Sequence, residues 1–437
     1  MDIAGTPYAW LAFDERGILI DPGAQAGLAA LLTPSVTNLV VISHGWKTDK
    51  TDAMALYEPL WKSVLAALTA QVGRAAGGFV VAGVQWPSKE FRTDFDSPAQ
   101  AAQFGALALS NSVAGNGDLS PAAFNEVLGD AVVLAGAGGP AVYAAAAAMQ
   151  DGFGPGRAQI LAAALKSAFP QRITNADIEL RTDRAPLVEE DPQELLLDLM
   201  APPPMTLNSS VGSAMGLGSL VGQTLAGPRA AVGRLLNQFT YYEMKARAGD
   251  VGAALGARVL SGLAPAQPVR LHLIGHSFGG RLVTAAAAAL APPSRMTLQS
   301  LTLLQAAFSH NALSADVGDG QPGAFPKVIG KVAGPISATH THNDLACTLA
   351  YALASRLVRD NAMAIGDSAD QFGAIGANGM LHLAAQQLAA EQAMSPAAAY
   401  RFMPGHAHNF NADLCIAGHM DVTNPEVGRL VAAALSH

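Results

Sequence analysis

Short runs of branched apolar residues, each closed by glycine, serine or proline, set the pattern of this chain. Asn38–Ile42 (NLVVI), Phe79–Val84 (FVVAGV) and Val269–Ile274 (VRLHLI) have the length and composition of strands buried on both faces. Between the first two, Asp52–Gln71 carries apolar residues at helical spacing, with Asp52 placed to cap the helix. Strand, helix, strand predicts a mostly parallel sheet with right-handed crossovers. Before it, Ala9–Ile20 alternates around Asp14-Glu15-Arg16-Gly17 and predicts an N-terminal antiparallel hairpin. Later strands are expected at Leu298–Ala307, Val328–Thr339 and Ala412–Ala417, with helices at Leu345–Val358 and Pro425–Leu435. No internal repeat is visible.

The pattern breaks between the second and third strands. Thr240–Leu260 supplies the helix that a crossover into Val269 needs, so Lys89 to Phe239, about 150 residues, reads as an insertion. It is rich in alanine, glycine and proline, with helical stretches near Ala99–Leu109, Gly156–Phe169 and Gln193–Met200. A break follows at Pro202-Pro203-Pro204, then the small apolar segment Val211–Gly227. The expected division is a core of residues 1–88 and 240–437 and a helical insertion of 89–239, read as a cap because it leaves the carboxyl edge of the sheet. An ornament packed elsewhere is the competing reading. Ala131–Met149 is uncharged and close to the length of a membrane span, but alanine and glycine drive insertion weakly and Gly138-Gly139-Pro140 interrupts it. A buried helix pair is expected there.

Composition narrows the classes. Half of the 437 residues are hydrophobic and 14% are charged, enough apolar surface for a large core. A net charge of −8 without a basic block argues against nucleic acid as a partner. The two cysteines, Cys347 and Cys415, lie in apolar surroundings and suit free thiols better than a disulfide framework. The N-terminal residues show no basic segment followed by an apolar core, so a cytoplasmic site is the expectation.

Candidate chemistry centres on Gly275-His276-Ser277-Phe278-Gly279, which sits between a strand and an alanine-rich helix. That is G-x-S-x-G in the context a nucleophile elbow requires, with small residues flanking a serine held in a strained turn. Ser277 also stands at a helix N-terminus, where developing negative charge is favoured. A serine hydroxyl needs a base, and the base an orienting acid, from loops at the carboxyl ends of later strands. Asp344 and His419 stand at the expected places, and the order Ser277, Asp344, His419 is that of an α/β-hydrolase.

The combination of strand-HGW (His44-Gly45-Trp46), strand-WPS (Trp86-Pro87-Ser88) and GHSFG resembles the α/β-hydrolase superfamily, and within it bacterial serine hydrolase families carrying HG, WPS and HSxG at those steps. The resemblance covers most of the chain outside the insertion. It implies an α/β-hydrolase fold and hydrolysis of a carboxylic ester through an acyl-enzyme on Ser277, with His419 as base and Asp344 holding its tautomer. It also implies oxyanion donors at the backbone of Phe278 and Trp46, a small-molecule ester as partner, and no cofactor. The chain has the short HG form rather than HGGG, which bears on the second donor. His44, Gly45, Trp86 and His276 are candidate substrate-binding residues, with Trp46, Trp86 and Phe278 a candidate apolar acyl pocket; aromatics in such places are as often plain core.

Each assignment has competitors. Asp316, Asp319, Asp413 and Asp421 are alternative acids, and His310, His406 and His408 alternative bases. His340-Thr341-His342-Asn343-Asp344 also resembles part of the H-x-H-x-D motif of metallo-β-lactamase-like hydrolases. Leu345 stands where that motif carries a histidine, and the motif falls late in the chain. No GK[ST] or G-x-G-x-x-G run is present for a nucleotide. The other class is a non-catalytic scaffold of the same fold that binds a partner through its apolar insertion.

Overall fold

The computed structural model describes residues 1–46, 48–72, 77–88, 118–152, 154–169, 190–200, 227–291, 295–318, 320–350, 373–396 and 398–437. The chain forms two compact units: Met1–Lys89 with Arg247–Cys347 and Ala374–His437, and Glu90–Ala246 with Thr348–Gly373. The second unit holds residues 90–239 of the expected insertion together with 240–246 and 348–373, which were expected in the core. Sequence periodicity had put the start of that last segment in a core helix.

The first unit is α/β, built on a mostly parallel sheet. Its strands are β1 (Asp2–Ile3), β2 (Thr6–Ala12), β3 (Asn38–Ser43), β4 (Phe79–Gln85), β5 (Val269–His276), β6 (Met296–Leu304), β7 (Ile336–His340), β8 (Gln392–Ala393) and β9 (Ala407–Asn411). They are ordered β1-β2-β4-β3-β5-β6-β7-β9-β8. β1 and β2 pair antiparallel and every other pairing is parallel. In β3 all six residues are buried, as a central strand covered on both faces requires.

Helices α1 (Ala24–Leu31) and α2 (Lys50–Val72) follow β2 and β3, α3 is Phe278–Ala289 after β5, and α4 (Pro425–Ser436) closes the chain. Tyr57 and Trp61 of α2 and Leu430 and Val431 of α4 form one core with Val40 and Ile42 of β3, Ile274 of β5 and Phe410 of β9. By strand alternation Leu39 and Val41 turn to the opposite face, where α3 packs on β3, β5 and β6. Asn424 caps α4, its side chain accepting from Val427 N, and Pro425 occupies the first turn.

Several elements differ from expectation. The hairpin expected over 9–20 is confined to its tip, where Phe13 bridges Leu19 antiparallel with Asp14 N donating to Ile18 O and Ile20 N to Ala12 O, while β2 itself joins β4 in parallel. Asp14 accepts from the backbone of Arg16 and Ile18 to close that turn, and Ile18 and Ile20 remain exposed, so a longer return strand buries nothing. The strand expected at Val328–Thr339 is confined to β7, preceded by a 3-10 turn at Ile329–Lys331. The strand expected at Ala412–Ala417 lies earlier, as β9, and 412–417 forms turns in which the backbones of Cys415 and Ile416 both donate to Ala412 O. After Asp344 the helical residues described end in a π turn, Ala346–Ala350.

In the second unit Pro121–Leu134, Gly139–Ala147, Pro155–Ala168 and Pro192–Met200 are helical. Pro228–Ala254 is a 27-residue helix that starts earlier than the crossover helix read from Thr240; from Arg247 on its residues belong to the first unit, where it continues as a π turn, Leu255–Leu260. Asp118 fixes the start of that long helix, accepting from the backbone of Arg229 and Ala230 at 3.1 and 2.8 Å. The uncharged segment 131–149 is broken by a 3-10 turn at Gly136–Gly138, and among the described residues no helix is long and apolar enough to cross a membrane. The stretches expected at 99–109 and 211–226 lie outside the described residues.

Candidate active site

Register brings the site residues to one edge. β3 and β5 pair with Ser43 opposite Gly275, and β5 and β6 with His276 opposite Leu304, so the loops leaving these strands start side by side. At the end of β5, Ser277 has φ 57° and ψ −127°, a conformation that L residues avoid. The turn is held from the neighbouring strand: Ser277 N donates to Leu304 O at 3.1 Å, and Ser277 O accepts from Gly280 N at 3.0 Å and Ala307 N at 3.1 Å. The two motif glycines are required by close approach. A Cβ on Gly275 would stand 2.3 Å from Gly279 O, and one on Gly279 would stand 2.3 Å from Ser43 O. The helix α3 begins at Phe278, which places Ser277 at its N-terminus.

His419 lies in the turns that follow β9. Its Nδ1–H donates to Asp344 Oδ2 at 2.8 Å, with the Asp344 side chain fully buried and that of His419 18% exposed. With Nδ1 bonded to a carboxylate, Nε2 is the ring nitrogen left for proton transfer. Asp344 Oδ1 accepts from Cys347 N at 3.0 Å, and Oδ2 also accepts from Gln305 Nε2 at 3.1 Å. Burial pushes the Asp344 carboxyl up, but the His419 charge and hydrogen bond and the Cys347 backbone outweigh it, and the net shift is downward.

His276, read as a substrate-binding residue, is buried. Its Nε2 donates to the backbone carbonyl of His419 at 2.8 Å, and the two rings lie 4.8 Å apart. Burial, reinforced by His419, lowers its pKa to about 3, so it is neutral with the proton on Nε2. The residue preceding Ser277 thereby ties the His419 loop to the elbow.

His44 and Trp86, also read as substrate-binding, are buried and stacked on each other at 5.8 Å. His44 Nδ1 meets Gly45 O at 2.7 Å, its backbone N donates to Tyr57 Oη at 2.7 Å, and Trp86 Nε1 donates to His44 O at 3.1 Å. Burial lowers the His44 pKa to about 4. Trp86 and Tyr57 thereby hold the backbone of His44 at the start of the HGW loop. Gly45 lies against the elbow, where a Cβ would meet Ser277 Cβ at 2.5 Å. Trp46 and Phe278 meet edge to face at 5.7 Å, so the two loops that carry the candidate oxyanion donors adjoin.

The competing acids are engaged elsewhere. Asp413 organises the 341–343 turn, accepting from Thr341 Oγ1 at 2.8 Å, His342 N at 2.9 Å and His342 Nδ1 at 3.2 Å. Asp316 accepts from the backbone of Gly318 and Gly320, and Asp421 from that of Ala417. Asp319 lies outside the described residues. Among the bases, His408 is buried within β9 and accepts from Met403 N, His406 bonds Pro404 O, and His310 faces Asn378.

His340 and His342 do not converge with Asp344: one pairs with Glu391 at 3.0 Å, the other with Asp413. Among the described residues, the group with ligand atoms close enough for a metal is Asp344, Cys347 and His419, within 4.8 Å of one another. Its chemistry suits hydrogen bonding better. Burial and the Asp344 charge hold the Cys347 thiol well above its ordinary pKa, whereas a metal needs the thiolate. Cys347 and Cys415 are both free, Cys347 buried and Cys415 partly exposed.

No protein-family model matches the chain, and comparison with curated proteins finds no relative. Among solved structures it is similar, at 11% identity and a TM-score of 0.22, to an uncharacterized protein from Pseudomonas aeruginosa, with 99% of this chain and 51% of that one covered. The chain therefore spans about half the length of that protein.

Proposed function

We propose that the chain is a serine hydrolase of the α/β-hydrolase type that cleaves carboxylic esters through an acyl-enzyme. One observation carries the reading: a serine in a left-handed backbone conformation between β5 and α3, with an Asp344–His419 pair whose loop is bonded to the residue beside that serine. The strand order, with the serine after β5, the acid after β7 and the histidine beyond β9, supports it.

In this reading His419 Nε2 takes the Ser277 proton as Oγ attacks the ester carbonyl. Asp344 keeps the imidazole in the Nδ1–H tautomer and stabilises the imidazolium that forms. The oxyanion develops at the N-terminus of α3, where the backbone N–H groups of Phe278 and Trp46 are the expected donors. Collapse expels the alcohol, protonated by His419, and water then repeats the sequence on the acyl-enzyme.

A chain-length series of p-nitrophenyl esters tests this. Turnover is expected, with an initial burst of p-nitrophenol close to one equivalent if deacylation is the slower step. Absence of turnover across the whole series would count against ester hydrolysis.

A further inference from the structure

Gln305 is the first residue after β6, beside the elbow, and like Ser277 it has a positive φ, 44°. It is fully buried, a setting in which an unpaired amide is costly. Every polar group of its side chain is committed. Nε2 donates to Asp344 Oδ2 at 3.1 Å and to Gly376 O at 3.2 Å, while Oε1 accepts from Thr339 Oγ1 at 2.9 Å. The direction of this chain follows from donor counting. Gln305 N donates to Thr339 Oγ1 at 3.1 Å, so the threonine hydrogen is free to point at Oε1. A flipped amide would aim Oε1 at two acceptors, the carboxylate and the Gly376 carbonyl.

We propose that Gln305, oriented by Thr339, is a positioning residue that holds the Asp344 carboxylate on His419 and tunes the basicity of that pair. The proposal rests on the reading of Ser277, His419 and Asp344 as a triad. Asp344 Oδ2 receives two hydrogen bonds, one from His419 and one from Gln305. The amide restrains the oxygen in the plane the imidazole needs and disperses part of its charge. The backbone around it is close-packed: a Cβ on Gly376 would stand 2.6 Å from Cys347 Sγ and 2.7 Å from Gln305 C, so the Gln305 backbone and the Cys347 side chain meet at one glycine.

Removing the amide leaves more charge on Asp344. The carboxylate then holds the imidazolium more tightly, so the acidic limb of activity moves up.

The test uses the full chain, wild type and Gln305→Leu, Thr339→Val, Thr339→Ser and Ser277→Ala, with kcat and KM for p-nitrophenyl butyrate from about pH 5 to about pH 9. Gln305→Leu should lower kcat about tenfold to hundredfold, leave KM within about twofold, and raise the acidic limb by roughly half a unit to one unit. Thr339→Val should move the limb the same way, and Thr339→Ser should restore it. A limb unmoved in both Gln305→Leu and Thr339→Val, with Ser277→Ala inactive, overturns the role of Gln305 and spares the triad. Turnover that survives Ser277→Ala overturns both. If Gln305→Leu does not fold, the Thr339→Val and Thr339→Ser pair decides the matter by the same limb.

Discussion

Ser277→Ala and His419→Ala are each expected to lower kcat on p-nitrophenyl esters by roughly four to six orders of magnitude, and the double variant by no more than either alone. Groups that act as a unit in one transition state do not contribute additively. Asp344→Asn should cost about 10³- to 10⁴-fold, because an amide at that position no longer fixes the Nδ1–H tautomer. Stability separates the variants further. His419→Ala strips the partner from a fully buried carboxylate and should cost about 3–5 kcal/mol near pH 7, whereas Asp344→Asn removes the charge itself and should cost less.

The pH dependence of that loss has a definite sign. In wild type the Asp344 pKa is depressed, so its contribution is present above the ordinary carboxylate range and is lost as pH falls through the folded value. In His419→Ala the burial that opposes ionisation is left without its main counterweight, and the folded pKa rises. The variant's deficit should therefore shrink between about pH 7 and about pH 5, read as urea midpoints against wild type. A deficit that grows on acidification would contradict the pairing.

Gly279→Ala should be as damaging by a different route. The added Cβ would stand 2.3 Å from Ser43 O and 2.5 Å from His44 O, and both are backbone atoms that no rotamer change relieves. Either α3 lifts off the sheet or the HGW loop moves away from Ser277, at about 3 kcal/mol or more. Esterase activity should fall steeply even in molecules that remain folded, because the loop carrying Trp46 is displaced from Phe278. Gly330→Ala, where a Cβ meets nothing within 4 Å, is the matched control and should stay within about 0.5 kcal/mol of wild type. Equal denaturation midpoints for the two variants would refute the packing argument.

The central strands were legible because burial on both faces writes itself as unbroken apolar runs: NLVVI, FVVAGV and VRLHLI became β3, β4 and β5 with ends displaced by two residues or fewer. The closing helix was legible too, expected over Pro425–Leu435 and formed over Pro425–Ser436. The final strand was not. AHNFN looks like a loop, yet its polar residues are buried on specific partners, Asn409 bonding both N and O of Met380 and His408 accepting from Met403 N. The apolar LCIA that resembled a strand instead forms turns whose carbonyls are satisfied by side chains, Asn343 to Asp413 O and Ile416 O, and Asn424 to Cys415 O.

Within the site, chain order singled out Asp344 and His419, but order could not separate Asp344 from Asp413. What separates them is which turn each carboxylate closes. Asp413 is spent on the backbone and side chains of 341–343, while Asp344 is left to meet His419. Gln305 carried one weak signal, a polar residue ending the apolar run LTLL, and His276 was visible only as a neighbour of the serine. Their partners, Asp344 Oδ2 and the carbonyl of His419, come from remote segments that no local pattern specifies.

The most direct measurement is reaction of the full chain with a fluorophosphonate, followed by mass mapping of the adduct. One equivalent on Ser277, formed quickly in wild type, slowed by orders of magnitude in His419→Ala and absent in Ser277→Ala, is the predicted result. No adduct in the folded protein, or an adduct on another residue that forms equally well without Ser277, would contradict the account.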